Sequence, residues 1–147
     1  MNFLPENDGI DHINVYSKGK TQLGKFLSNF TLTPILTSDG KFSSIEGYWY
    51  WLGCEHKDKE VLRDLSGFRA KQVGRELRAK DWQDSNEFKE KILAAIKIKI
   101  NTYPYILKLF KENKLPFTHY YVYGDKVIDV PGAKWILDGI EKIKHDN

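Results

Sequence analysis

Apolar positions recur at helical spacing through the middle of the chain and at strand spacing towards both ends. Ile45, Tyr48, Trp49 and Leu52 fall at i, i+3, i+4 and i+7, which predicts a helix with one face turned to a core. Ser43 and Glu46 stand at its front with the Ser-x-x-Glu spacing of a capping box. A short charged helix is expected over 57–65, with Val61, Leu62 and Leu65 as its apolar side. Ser66 reads as the cap of a further helix running to about Lys80, whose apolar stripe is Ala70, Val73, Gly74 and Leu77. Asp84 or Ser85 caps the next, where Phe88, Ile92, Ala95, Ile96 and Lys99 follow the period to about Ile100. Pro104 suits the first turn of another helix, which carries Ile106, Leu109 and Phe110. A last helix follows Pro131-Gly132, with Trp135, Ile136, Ile140 and Ile143 at helical spacing.

Strand signals flank this helical centre. Ile13 to Tyr16 is a short strand, and Phe26 to Phe30 and Thr31 to Thr37 read as extended, with Pro34 marking an edge or a break. Ser38-Asp39-Gly40-Lys41 is a turn, and Gly124-Asp125 joins 118–123 to 126–130 as a hairpin. The pattern predicts an α+β fold in a single domain over 13–147, behind an irregular N-terminal arm of residues 1–12.

Composition changes this picture little. A chain of 147 residues has room for one domain with a core of its own, and 14% aromatic residues are more than a disordered chain carries. Cys54 is the sole cysteine, so no intramolecular disulfide can form. With no apolar run of membrane-spanning length and no leader-like core in Met1 to Asp8, a reducing cytoplasmic setting is expected, with no membrane partner. A net charge of +3 is mild, so affinity for nucleic acid has to come from a local patch.

Candidate chemistry centres on carboxylates. Trp49 and Tyr50 are the i+3 and i+4 neighbours of Glu46, and aromatic flanks desolvate a carboxylate, raise its pKa and suit it to proton transfer. The bland alternative is that Glu46 only caps its helix. Asp125 and Asp129 are possible second acids, although Asp129 equally suits a cap for the last helix and Asp125 an ordinary turn. Lys71, Arg75 and Arg78 recur at intervals of four and three, a cationic face that suits phosphates and equally suits solvent. His12, His56, His119 and His145 are scattered and Cys54 and His56 lack a second pair, so neither a metal nor a cofactor is expected.

Three segments in order, Phe26-Leu27-Ser28-Asn29-Phe30, then Ser44-Ile45-Glu46-Gly47-Tyr48-Trp49, then Ala70-Lys71-Gln72-Val73-Gly74-Arg75 with Asp81-Trp82, resemble the NADAR superfamily. The likeness runs from about residue 13 to 82, with a weaker continuation to the C-terminal helix. There Lys134 stands where the family has Asn. The resemblance implies a NADAR-type fold and an N-glycosidase that acts on a ribosylated nitrogen. Its substrate would be ADP-ribose on guanine in DNA, as in antitoxin or phage-defence-related hydrolases. The alternatives are a ribosylamino-pyrimidine phosphate of the riboflavin pathway, or a module that binds ADP-ribose or nucleic acid without turnover. Glu46 would act on the incoming group or on the cationic sugar, Lys71 would hold phosphate or attack C1′, and Asp129 would be the second acid. Asn29 would bind ribose hydroxyls, Phe30, Trp49, Tyr50, Trp82 and Trp135 would line the substrate, and Arg75 and Arg78 would hold its phosphates.

Overall fold

The computed structural model describes residues 3–146; Met1 and Asn2 of the arm and Asn147 at the end of the expected domain lie outside the described residues. Contacts divide the chain into two compact units, one of Met1–Ser28 with Tyr103–Asn147 and one of Asn29–Thr102.

In the first unit, β1 (Ile13–Asn14) runs parallel to β4 (Phe117–Thr118), with Ile13 opposite Phe117 and Asn14 opposite Thr118. So short a ladder needs help from side chains. The buried Asn14 amide supplies it, donating to the carbonyl of Tyr120 and accepting from its N–H, both at 3.0 Å. The arm is tied in as well. Asp8 accepts from the backbone N–H groups of Asn14 at 2.9 Å and Lys20 at 2.8 Å. The fully buried His12 ring lies 2.6 Å from the Tyr120 hydroxyl. Helix α1 (Gln22–Leu27) corrects the extended reading of Phe26 and Leu27. Thr21 caps it by accepting from the N–H of Gly24 at 2.8 Å, and Leu23, Gly24 and Leu27 are buried. A capped turn with an apolar face outweighs the β propensity of Phe26. Helix α5 (Pro104–Glu112) starts at its proline as expected. The hairpin of β5 (Tyr120–Tyr123) and β6 (Lys126–Asp129) pairs Tyr120 with Asp129 and Tyr123 with Lys126. Helix α6 (Lys134–His145) follows, buried at Ile140 and Ile143.

The second unit opens with a hairpin, β2 (Ile35–Thr37) against β3 (Gly40–Phe42), and Pro34 stands just before it. Helix α2 (Ile45–Leu52) follows, then a 3-10 turn over Lys59–Asp64 where a short helix was expected, then α3 (Gly67–Glu76) and α4 (Asn86–Thr102). Ser85 supplies the start of α4, accepting from the N–H of Phe88 at 3.3 Å. Tyr48 lies in the core beside Phe42, and its hydroxyl donates to Asp39 at 2.6 Å. Lys91 of α4 completes this contact by donating to the same carboxylate oxygen at 3.1 Å. A small cluster of Cys54, Leu62 and Val73, covered by Tyr50, Trp51, Leu65 and Leu77, holds α2, the 3-10 turn and α3 together.

Helices α2 and α3 meet through glycine. A Cβ at Gly74 would lie 2.3 Å from the Tyr50 ring, and one at Gly47 would lie 2.5 Å from the carbonyl oxygen of Leu62. In an exposed helix Gly→Ala stabilises by about 1 kcal/mol, whereas overpacking costs about 1–3 kcal/mol. Gly74→Ala is therefore expected to lower stability by up to about 2 kcal/mol, read as a lower urea midpoint at unchanged slope. A raised midpoint would show that the Tyr50 ring gives way freely.

Candidate active site

Three backbone segments build the first turn of α2. Ser44 is the cap: its side-chain oxygen accepts from the N–H of Gly47 at 3.0 Å and donates to the carbonyl of Leu65 at 2.8 Å. The cap thus lies one residue later than the Ser43 reading: Ser44, with extended backbone, stands immediately before the first helical residue, Ile45. Three residues after the cap comes Gly47, so the reciprocal capping box does not form. Glu46 sits in the second helical position instead, with its side chain left out of the capping bonds. Its backbone N–H donates to the carbonyl of Asn29 at 2.9 Å, and the carbonyl of Phe30 accepts from Gly67 at 2.9 Å. Asn29-Phe30 therefore bridges the starts of α2 and α3.

Glu46 is buried, with 9% of its surface exposed. Burial raises its carboxyl from the ordinary 4.5 to about 7, against the opposing charges of Lys71 and Arg75. The direction is the one expected of a desolvated carboxylate. Tyr50 belongs to the same group: burial raises its phenol, the charge of Glu46 adds to that, and the Arg75 guanidinium pulls it down by charge and by a hydrogen bond. Lys71 is half-buried and Arg75 exposed, one turn apart on α3. The result is a dry acid facing two cations and a phenol, able to hold or release a proton near neutrality.

The remaining candidates divide. Trp49 is half-buried, its ring edge-on to Phe88 at 4.8 Å. Trp82, 40% exposed, follows Lys80, whose N–H donates to the carbonyl of Gly53 at 2.7 Å beyond the end of α2. Arg78 is not on the cationic helix face. Helix α3 stops at Glu76, well short of the expected Lys80, in a Schellman-type end where Ala79 N–H donates to the Gly74 carbonyl and Arg78 N–H to that of Arg75, each at 3.0 Å. Arg78 takes the left-handed conformation at φ 58°, which turns its side chain off the stripe. Asp129 and Trp135 belong to the other unit. Asp129 is exposed at the end of β6 and does not cap α6, whose cap position is Ala133.

Two residues escaped the sequence reading. Lys99 counted only as a member of a helical stripe, yet it is fully buried and burial lowers its ammonium to about 7. Phe68, in the first turn of α3, is 68% exposed. Among the described residues no group of three or more His, Cys, Asp or Glu could hold a metal ion, and no helix is long and apolar enough to cross a membrane.

No protein-family model and no curated protein sequence matches the chain. Among solved structures, the NMR structure of YbiA from E. coli superposes with a TM-score of 0.68 at 16% identity, covering 98% of this chain and 92% of YbiA. The chain has the YbiA fold. YbiA is a NADAR-family protein, so the α+β architecture implied by the ordered motifs is the one the chain adopts. At this identity the likeness to YbiA establishes the fold and leaves the substrate to the site itself.

Glu46 and Arg78 each carry a stability prediction. The folded state holds the Glu46 proton more tightly than the unfolded chain, so its contribution is full below pH 4.5 and falls as pH rises towards about 7. Glu46→Gln, which cannot ionise, should match the wild type at pH 4 and exceed it by about 1–3 kcal/mol at pH 8. Denaturant midpoints at the two pH values check this, and an equal gap at both would overturn the assigned shift. A left-handed residue with a Cβ costs roughly 1–2 kcal/mol, so Arg78→Gly should stabilise by about 1 kcal/mol. A lower melting temperature would show that the Arg78 side chain holds the helix end.

Proposed function

We propose that the chain is an N-glycosidase that hydrolyses a C1′–N ribosyl bond, with ADP-ribose on a guanine base of DNA as the substrate. The observation that carries this reading is the buried Glu46, titrating near 7 beside Lys71 and Arg75. In this scheme the oxygen of a water molecule bonds to C1′ while the C1′–N bond breaks and its electron pair leaves on the nitrogen. Glu46 takes a proton from the water and passes it to the departing nitrogen, so the carboxylate is restored. A pKa near the working pH favours both transfers. The dry carboxylate also stabilises positive charge growing on the sugar, because little water screens it.

Arg75 and Lys71 supply donors for the pyrophosphate of ADP-ribose. Lys71 retains a second possible role as the amine that attacks C1′. Its half-buried place beside Arg75 favours the phosphate role. Asn29 stands at the front of α2, where ribose hydroxyls would lie close to Glu46, and Trp49 and Trp82 offer ring faces or edges for the base. DNA is favoured over a small metabolite because α3 and its end expose Arg69, Arg75 and Arg78 to solvent, more cationic surface than one phosphate requires.

Incubation with DNA carrying ADP-ribosylated guanine should release free ADP-ribose. Glu46→Gln should lower kcat by about 10²–10⁴-fold while product binding is retained. For the wild type, kcat/KM should rise to a plateau above about pH 7, where the carboxylate is the free base. Release only from a ribosylamino-pyrimidine phosphate would replace the DNA substrate with that metabolite. No release from either would make the chain a binding module.

A further inference from the structure

Helix α3 presents two opposite faces. Ala70, Val73 and Gly74 are buried. Phe68 projects from the other side, 68% exposed in the first turn. At 100° per residue, Lys71, Gln72 and Arg75 fall on the same side as Phe68, within about 60° of it. Arg69 lies next to them and reaches across the turn, donating to Gln72 at 3.4 Å. From Gly67 to Arg78 the segment holds four cations, Arg69, Lys71, Arg75 and Arg78, and one acid, Glu76. A bare aromatic ring at the start of a cationic helix face, continuous with the residues that face Glu46, is an arrangement suited to single-stranded nucleic acid. The cations follow the phosphates and the ring takes a base.

We propose that α3 is a landing surface for single-stranded DNA, with Phe68 stacking on an unpaired base and Arg69 contacting the phosphate beside it. The inference rests on the nucleic-acid substrate proposed above and deepens it. A base inside a duplex offers no free face to a ring on a helix surface, and chemistry on a base requires that base to leave the stack. Phe68 therefore acts on unpaired DNA and holds a base close to the one presented to Glu46. Its role is binding, and it takes no part in bond breaking. A cationic face alone would bind by charge and show no dependence on the ring. An exposed Phe with no partner would be indifferent to substitution.

The test is titration of an unmodified, fluorescently labelled single-stranded oligonucleotide of about ten nucleotides, which needs no turnover. Phe68→Ala should weaken binding by about 5- to 100-fold. Phe68→Leu, which keeps an apolar side chain without a π face, should weaken it similarly, and Phe68→Trp should hold or strengthen it. A 2-aminopurine in the oligonucleotide should change its fluorescence on binding to the wild type and not to Phe68→Ala. Because Phe68 is mostly exposed, urea midpoints of the variants should stay with the wild type and confirm folding. Equal affinity of wild type and Phe68→Ala, or no binding by the wild type, would overturn the proposal. A chain that binds through Phe68 yet releases no ADP-ribose would overturn the glycosidase reading alone. Release of ADP-ribose with binding indifferent to Phe68 would overturn this surface alone.

Discussion

The contact on which the site depends is the approach of α3 to α2 at Gly74 and Tyr50. A Cβ on Gly74 would lie 2.3 Å from the Tyr50 ring, so the two helices pack at a distance that only glycine allows. Gly47 makes a second close approach one turn earlier in α2, where the carbonyl of Leu62 passes 2.5 Å from its missing Cβ. Ile45, Glu46, Gly47 and Tyr48 are buried along this stretch of α2. Glu46 is dry within it, and Lys71 and Arg75, which act on its charge, stand on the turn of α3 that carries Gly74. The glycines give up helix propensity, and the chain gains a preorganised group of charges in return.

Two electrostatic effects then compete at Glu46, and their ranking decides its chemistry. Two nearby cations alone would hold a carboxylate at or below its ordinary 4.5. Burial wins, and the carboxyl rises to about 7. The cations lose because Arg75 is exposed and Lys71 half-exposed, so water screens their charge while the carboxylate receives little hydration of its own. An acid perturbed in this way, beside cations it does not fully satisfy, is suited to a ligand that brings its own negative charge. Phosphates bound to Arg75 and Lys71 would weaken their pull on Glu46 and raise its proton affinity further, which links substrate binding to protonation of the acid.

Much of this was legible before the structure. The helix periods, the turns at Ser38-Asp39 and Gly124-Asp125, the proline start of α5 and the place of Ser85 are local matters, settled by residues a few positions apart, and they are where the sequence puts them. The raised carboxyl of Glu46 has the direction suggested by Trp49 and Tyr50 one turn on, where the spacing also allowed a plain helix cap. The errors are one missed helix, α1, and the ends of other elements. Phe26 and Leu27 belong to a helix because Thr21 caps it, and their own propensities point elsewhere. The cap of α2 is Ser44 because its hydroxyl also reaches the carbonyl of Leu65, a bond 21 residues distant in sequence. Arg78 leaves the helix because the Gly74 carbonyl closes the end of α3 on Ala79.

The sequence by itself determined the helical periods of α2 to α6, which residues can carry charge or a ring, and an order of motifs that resembles the NADAR superfamily. Only the tertiary structure decided which of these meet. Phe68 and Trp49 are both aromatic residues near a cationic helix in the sequence. One is 68% exposed on the outer side of α3 and the other is packed against Phe88 of α4. Lys99 looked like one more position in a stripe, and burial makes it an amine that titrates near neutrality. Spacing along a chain specifies directions around one helix axis. Dryness and proximity depend on what other segments bring to that face, and that information lies in contacts between residues far apart in sequence.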